Sequence, residues 1–236
     1  MHPHMQKLTK DESRFSDFNH PTVLPRSDAQ KQEWQSANRS WWENNPMRYD
    51  WTTSVRAQEF SREFYVEIDN RFFGNAAEYL EQRAIPFDEY VNFTSLSDKD
   101  VLEIGAGNGS HAQLLSRSAK SFTGIDLTDY AVRSTSRRFE LFGCSGAIRQ
   151  MDAEHLQFPD DSFDFIWSWG VIHHSSNTPR IIEEIYRVLR SGGRAVIMVY
   201  HRGWWNYYVM GFLRAFLRGD LFRGKSIHQS MQLYTD

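Results

Sequence analysis

Apolar and polar positions alternate differently in the two halves of the chain. In the second half, short apolar runs recur at residues 100–104, 121–125, 163–168 and 194–200, with a weaker one near 147–150. Runs of this length, apolar at nearly every position, are typical of strands buried on both faces. Between them lie helix-compatible stretches, from residue 109, at 129–139 and at 178–190, and Ser191-Gly-Gly193 reads as a helix stop followed by a turn. Strands alternating with helices predict an α/β unit with a parallel sheet covered on both faces.

The first half has a different rhythm. Residues 1–27 are polar, carry prolines at 3, 21 and 25, and show no periodicity, which predicts a loose tail. A helix is predicted from Ser27 or Asp28, with Trp34, Ala37, Trp41 and Trp42 on one face. It should stop near Asn44-Asn-Pro46, because the residue before proline avoids the α region. Phe60, Phe64, Ile68, Phe72, Ala76 and Leu80 then recur every four residues, which marks one amphipathic helix or two joined near Gly74. The expected organisation is a tail over 1–27, a helical cap over 28–95, an α/β domain over 96–201 and an aromatic, basic helical segment over 202–236.

Within the α/β unit, Asp100-Val-Leu-Glu-Ile-Gly-Ala-Gly-Asn-Gly-Ser110 passes from strand through a glycine turn into a helix. Glycine supplies positive φ and removes side chains where a ligand must touch the backbone. Asp126, 21 residues beyond Gly105, ends the next apolar run. An acid at that place in a βαβ unit can hydrogen-bond both hydroxyls of a ribose. Together the two strand ends form a candidate nucleoside cradle. An ordinary α/β turn, with Asp126 only capping a helix, is the competing reading.

Composition narrows the rest. The 236 residues suffice for one α/β domain with an appendage. A net charge of -3 gives no general attraction to nucleic acid. Cys144, the only cysteine, cannot form an internal disulfide, so nothing points to an oxidising compartment. Met1-His-Pro-His-Met-Gln-Lys7 lacks a signal-peptide core, and the most apolar stretch, 195–217, is broken by His201, Arg202 and Arg214. A cytoplasmic protein is expected. Aromatic residues make up 15% of the chain and include eight Trp, many outside the α/β unit, so a surface for something flat or apolar is worth seeking.

The motifs taken together resemble class I S-adenosylmethionine-dependent methyltransferases, in the group that includes the ubiquinone/menaquinone C-methyltransferases. The resemblance rests on Val101-Leu-Glu-Ile-Gly-Ala-Gly-Asn-Gly109, Gly124-Ile-Asp-Leu127, Met151-Asp-Ala-Glu154 with Phe158-Pro159, residues 163–174 ending in His173-His174, and residues 182–194. It covers roughly residues 99–201 and implies a Rossmann-like, doubly wound, mostly parallel sheet. It also implies S-adenosyl-L-methionine as cofactor, with S-adenosyl-L-homocysteine as product. On this resemblance Gly105, Ala106 and Gly107 pass along the methionine part, and Glu103 anchors the loop or the amino group. Asp126 takes the ribose, Leu127 packs on the adenine, Asp152 and Ala153 meet the adenine edge, and Ser168 and Trp169 face the methionine amine and the methyl group. A cationic sulfonium without phosphate needs carboxylates, carbonyls and aromatic faces rather than a basic clamp.

Several residues keep a second reading. Asp152 also suits a helix cap. Asp160 and Asp161 read as turn residues. His173 and His174 are candidate general bases and equally candidate pocket-lining residues. Two adjacent histidines without a third ligand do not make a metal site. For the acceptor, expected to be a small or lipid-like molecule, the lid candidates are Tyr49 and Trp51 in one segment, and His201, Trp204, Trp205 and Tyr208 in the other. The second segment suits a pocket lid and, less well, peripheral contact with a membrane interface. Family members usually end in two further strands that residues 201–236 do not show, so missing C-terminal strands, an exposed sheet edge and a possible homodimer are expected. The alternatives are an NAD-dependent oxidoreductase and an inactive cofactor-binding partner protein.

Overall fold

In a computed structural model, the structure describes residues 24–50, 53–76, 85–199, 208–209 and 211–224. Two compact units result: Asn38–Val199, and Met1–Ala37 together with Tyr200–Asp236.

The larger unit is built on a five-stranded sheet ordered β3-β2-β1-β4-β5, with every pairing parallel. The strands are β1 Asp100–Ile104, β2 Ser121–Asp126, β3 Ala147–Gln150, β4 Phe163–Trp169 and β5 Leu189–Met198. The helices are α1 Asp28–Asn44, which crosses the boundary between the units, α2 Arg62–Ala76, α3 Ser110–Ser118, α4 Asp129–Phe142 and α5 Thr178–Val188. This is the α/β fold expected. Strand order reverses direction between β1 and β4, and such a switch point opens a crevice at the carboxyl ends of the strands.

Alternation along the strands sorts the core into two layers. Val101, Phe165 and Trp167 join one cluster with Ala112, Leu115 and Phe139 of α3 and α4, and with Phe72 and Phe87 from the segments before the sheet. Leu102, Ile104 and Ile166 join the other with Ile181, Ile185 and Val188 of α5. Phe163 falls in the second layer although Phe165, two residues on, lies in the first. The register shift between Phe163 and Phe165 accounts for this, since one irregular residue flips the faces.

Local chemistry sets the helix ends. Thr128 caps α4 by accepting from the Ala131 N–H, and Gly143 ends it in the left-handed conformation. Asn177 caps α5 by accepting from the Arg180 N–H. The helix anticipated over 178–190 stops at Val188, and Ser191-Gly-Gly193 lies inside β5 rather than in a turn. Leu189 is drawn out of the helix because it pairs with Phe163 across the irregular start of β4.

The periodic stretch beginning at Phe60 forms α2 from Arg62 only. Phe60 itself has a positive φ of 63° and so cannot continue the helix; Leu80 lies outside the described residues. The same is true of residues 200–207 and 225–236, on which the expectation about further strands falls. The smaller unit contributes α6, Gly211–Leu217, with Ala215 buried and Phe212, Leu213, Phe216 and Leu217 exposed.

Candidate functional site

The cradle is assembled at the carboxyl ends of β1 and β2. Gly105, Gly107 and Gly109 all have positive φ, between 54° and 85°, so the loop uses the freedom that glycine alone has cheaply. A Cβ on Gly105 would lie 2.2 Å from a methyl carbon of Val171, whereas one on Gly107 would meet nothing within 4 Å. Gly105 is thus bare because the loop is packed there. Gly107 is bare where the backbone faces open space.

Asp126 sits beside this opening. One carboxylate oxygen accepts from the Gly107 N–H at 3.0 Å, and the other accepts from the Thr128 N–H at 3.0 Å and its hydroxyl at 2.8 Å. Burial raises its pKa and these hydrogen bonds partly offset the rise. A carboxylate has about four acceptor directions and three are in use, so what remains suits one ribose hydroxyl.

Helix α4 grips the back of the loop. Ser134, Thr135 and Arg138 occupy one face, spaced to meet the same surface. The Thr135 hydroxyl donates to the Gly107 carbonyl at 3.0 Å, Arg138 donates to the Asn108 carbonyl at 3.1 Å, and the Ser134 hydroxyl donates to Asn108 Oδ1 at 2.7 Å. With these acceptors held at the back, the loop carries little freedom of its own.

The segment before the sheet is tied to the same two strand ends. The Glu43 carboxylate accepts from the N–H groups of Asp129 and Tyr130, at 2.8 and 3.0 Å, at the start of α4 where a helix favours negative charge. Asn108 Nδ2 donates to the Met47 carbonyl at 2.7 Å. Arg138, fully buried, pairs with Asp69 of α2, which also accepts from the Ser110 hydroxyl at 2.7 Å. Tyr49 is half-buried against the core, its ring 5.0 Å from Phe72.

The remaining anticipated residues spread around this centre. Glu103 lies beneath the glycine loop, its carboxylate 3.7 Å from His111 Nδ1. Burial, with Asp126 nearby, pushes the Glu103 pKa well above the usual range, and burial lowers that of His111 to about 3. Ala106 is buried beside the half-buried Gly105 and Gly107, and Leu127 is half-buried next to Asp126. Ser168 is buried and donates to the Ile104 carbonyl at 3.2 Å, while Trp169 stacks on Trp167 at 5.2 Å and points to the opposite face of the sheet. These two neighbours therefore do not share one surface. Asp152 and Ala153 are half-buried after β3, and Asp152 accepts from the Glu154 N–H at 2.9 Å, a local turn contact.

His173 and His174 follow β4 in a short 3₁₀ turn, with ring centroids 4.1 Å apart and Trp42 edge-on to His174 at 4.9 Å. Burial lowers their pKa values to about 4 and about 3. Both imidazoles are neutral at physiological pH and weakly basic. Trp51, His201, Trp204 and Trp205 lie outside the described residues, and Tyr208 is exposed in the smaller unit. Among the described residues, no helix is long and apolar enough to cross a membrane and no group of three or more metal-binding side chains forms.

A bare backbone at Gly107, a buried acid beside it and the orphaned Glu103 Oε2 fit a nucleoside carrying an amino-acid end. The family model described as "Methyltransferase domain" matches residues 102–197, from β1 to the end of β5. This segment is similar to a methyltransferase domain. The phthiotriol/phenolphthiotriol dimycocerosates methyltransferase of Mycobacterium leprae is 36% identical over 101 residues, 42% of this chain and 37% of that protein. The phosphatidylethanolamine N-methyltransferase of Cereibacter sphaeroides is 34% identical over 100 residues, 42% of this chain and 49% of that protein. The chain thus spans less than half the length of these two relatives. Among solved structures, the YcgJ protein of Bacillus subtilis matches 45% of this chain and 47% of its own at 33% identity, with a TM-score of 0.43.

Sequence reasoning missed the bracing roles of Asn108, within the glycine motif, and of Glu43, Asp69, His111 and Arg138 outside it. Only one of them carried a readable signal. In α4, Tyr130, Ala131 and Phe139 define the inward face, and Ser134, Thr135 and Arg138 lie on it. Three polar residues on a buried stripe require partners.

Proposed function

We propose that this protein transfers a methyl group from S-adenosylmethionine to a small, lipid-like acceptor. The observation that carries the reading is the pairing of an open, side-chain-free turn at Gly107 with the Asp126 carboxylate on the adjacent strand end. When bound, S-adenosylmethionine supplies an activated methyl group on a positively charged sulfur. Asp126 holds a ribose hydroxyl, the glycine loop lets the thioether chain lie against the backbone, and Leu127 and Ala153 offer apolar surface to the adenine. The domain's further task is to hold the acceptor close, aligned and away from water.

The names of the two relatives support a lipid-like acceptor, since one is a methyltransferase for dimycocerosates and the other for phosphatidylethanolamine. An amine needs no strong base once unprotonated. An oxygen or carbon acceptor does, and His173, with its pKa near 4, is a poor one until an incoming ligand changes its surroundings. Calorimetric titration with S-adenosylhomocysteine tests the reading: binding is expected, and Asp126→Ala should weaken it by about tenfold or more. No heat with this ligand, together with binding of a nicotinamide dinucleotide, would overturn it. Incorporation of labelled methyl from S-adenosylmethionine into a lipid extract tests the acceptor class.

A further inference from the structure

Helix α6 is short but firmly terminated. Gly219, at a φ of 74°, takes the left-handed conformation just past its end, and the N–H groups of Gly219 and Asp220 donate back to the carbonyls of Phe216 and Ala215 at 3.0 and 2.9 Å. This reversal leads into a 3₁₀ turn over Leu221–Arg223 and sets the Phe222 ring against Phe216, with centroids 5.5 Å apart. Phe212, one helical turn earlier, stacks on Phe216 at 6.2 Å. Three aromatic rings therefore form one row.

The row faces outward. Ala215 and Asp220 of the same segment are buried, whereas Phe212, Leu213 and Phe216 are about half exposed, Leu217 is 74% exposed and Phe222 78%. The three rings alone leave on the order of 300 Å² of apolar surface in water, comparable with the largest patch that a typical monomer carries. Transfer of that surface to an apolar phase is favourable.

The charges beside the row share one sign. Arg218 and Arg223 are exposed, and the one acid between residues 208 and 224, Asp220, is buried with its carboxylate 3.8 Å from the Arg223 guanidinium. Exposed rings and leucines edged by arginine, with no exposed acid among these residues, complement an anionic headgroup layer over an acyl interior. A second copy of the chain fits worse, because twofold pairing sets a patch against itself and brings like charges together. At seven residues α6 is too short to cross a bilayer, so the fit is to one leaflet.

We propose that α6 and the turn after it form a docking surface for anionic lipid membranes. Phe212, Phe216, Leu217 and Phe222 enter the interface, and Arg218 and Arg223 pair with headgroup phosphates. The inference goes beyond the cofactor reading and stands on different residues. Its consequence is to concentrate the protein where a lipid-like acceptor resides.

The test is co-sedimentation of the full chain, without nucleoside, with vesicles of phosphatidylcholine alone or mixed equally with phosphatidylglycerol. Partition should be about tenfold or more stronger onto the anionic vesicles and should weaken as salt is raised. Phe212→Ser combined with Phe222→Ser should reduce it about tenfold, and so should Arg218→Gln combined with Arg223→Gln. Both pairs should keep S-adenosylhomocysteine affinity within about twofold. Equal partition onto the two vesicles, or none, overturns the inference. So does a loss of S-adenosylhomocysteine affinity in the phenylalanine pair, which would make α6 a lid, and so does self-association in sedimentation velocity that this pair abolishes, which would give the row to a second copy. A measurement on the unaltered protein covers variants that fail to fold: amide exchange over residues 211–224 should slow on anionic vesicles, and slowing confined to other segments overturns the inference. A protein that binds these vesicles but not S-adenosylhomocysteine refutes the cofactor reading alone, and the reverse result refutes the docking surface alone.

Discussion

Arg138→Met tests whether the cap and the glycine loop are one mechanical unit. Methionine keeps an unbranched stem in the core but deletes a guanidinium that reaches four groups. Those are Gln113 Oε1 at 2.8 Å, the Asn108 carbonyl at 3.1 Å, the Ser110 hydroxyl at 3.3 Å and the Asp69 carboxylate. Its loss also removes a cation lying 5.3 Å from the Tyr65 ring centre. Breaking a buried ion pair by deleting one partner costs about 3–5 kcal/mol. The Asp69 side chain is 22% exposed, so water relieves part of the penalty and the expected loss is near ~3 kcal/mol. Urea denaturation monitored by tryptophan fluorescence measures it, and S-adenosylhomocysteine affinity should fall in parallel because Asn108 is no longer held. A double-mutant cycle with Asp69→Ala should give a coupling above about 1 kcal/mol. A loss of stability below about 1 kcal/mol, or unchanged affinity in a destabilised variant, would refute the idea that this network braces the loop.

Two glycine substitutions should separate packing from binding. Gly105→Ala places a methyl against Val171 and should unfold the domain, whereas Gly107→Ala should fold with a modest cost of about 1–2 kcal/mol for its positive φ while losing cofactor binding; circular dichroism and calorimetry distinguish them. His174 has its pKa depressed by burial, and secondarily by His173, to about 3 from an ordinary 6.5, so the unfolded chain binds its proton first and the stabilisation is lost as pH falls below about 6.5. Between pH 7 and 5.5 the parent should lose about 1 kcal/mol more than His174→Gln, and parallel denaturation curves at the two pH values would contradict the buried neutral imidazole. Phe216 and Leu217 are exposed on α6, and replacing both with serine should abolish any co-sedimentation of the protein with anionic vesicles; sedimentation unaffected by the change would remove α6 as the contact.

The glycine loop, Asp126 and the order of strands and helices were legible in the chain because each depends on neighbours in sequence. A parallel strand buried on both faces must be a run of apolar residues, and a loop that bends at positive φ must carry glycine there. The start of β5 was not legible, since Leu189 leaves the helix only because the irregular edge of β4 offers it a hydrogen-bonding partner. That Ser168 and Trp169 face apart, by contrast, follows from strand alternation alone.

What brings Arg138 to Asp69, across 69 residues, is the packing of α2 beside α4, and no local pattern in either helix encodes that encounter. Glu43 meets the start of α4 for the same reason, 86 residues before Asp129. The sequence by itself therefore determined the elements, the turn and the acid beside it, because short-range sterics and burial decide those. The tertiary structure alone decided which polar side chains brace the turn, because such contacts exist only once distant segments have packed.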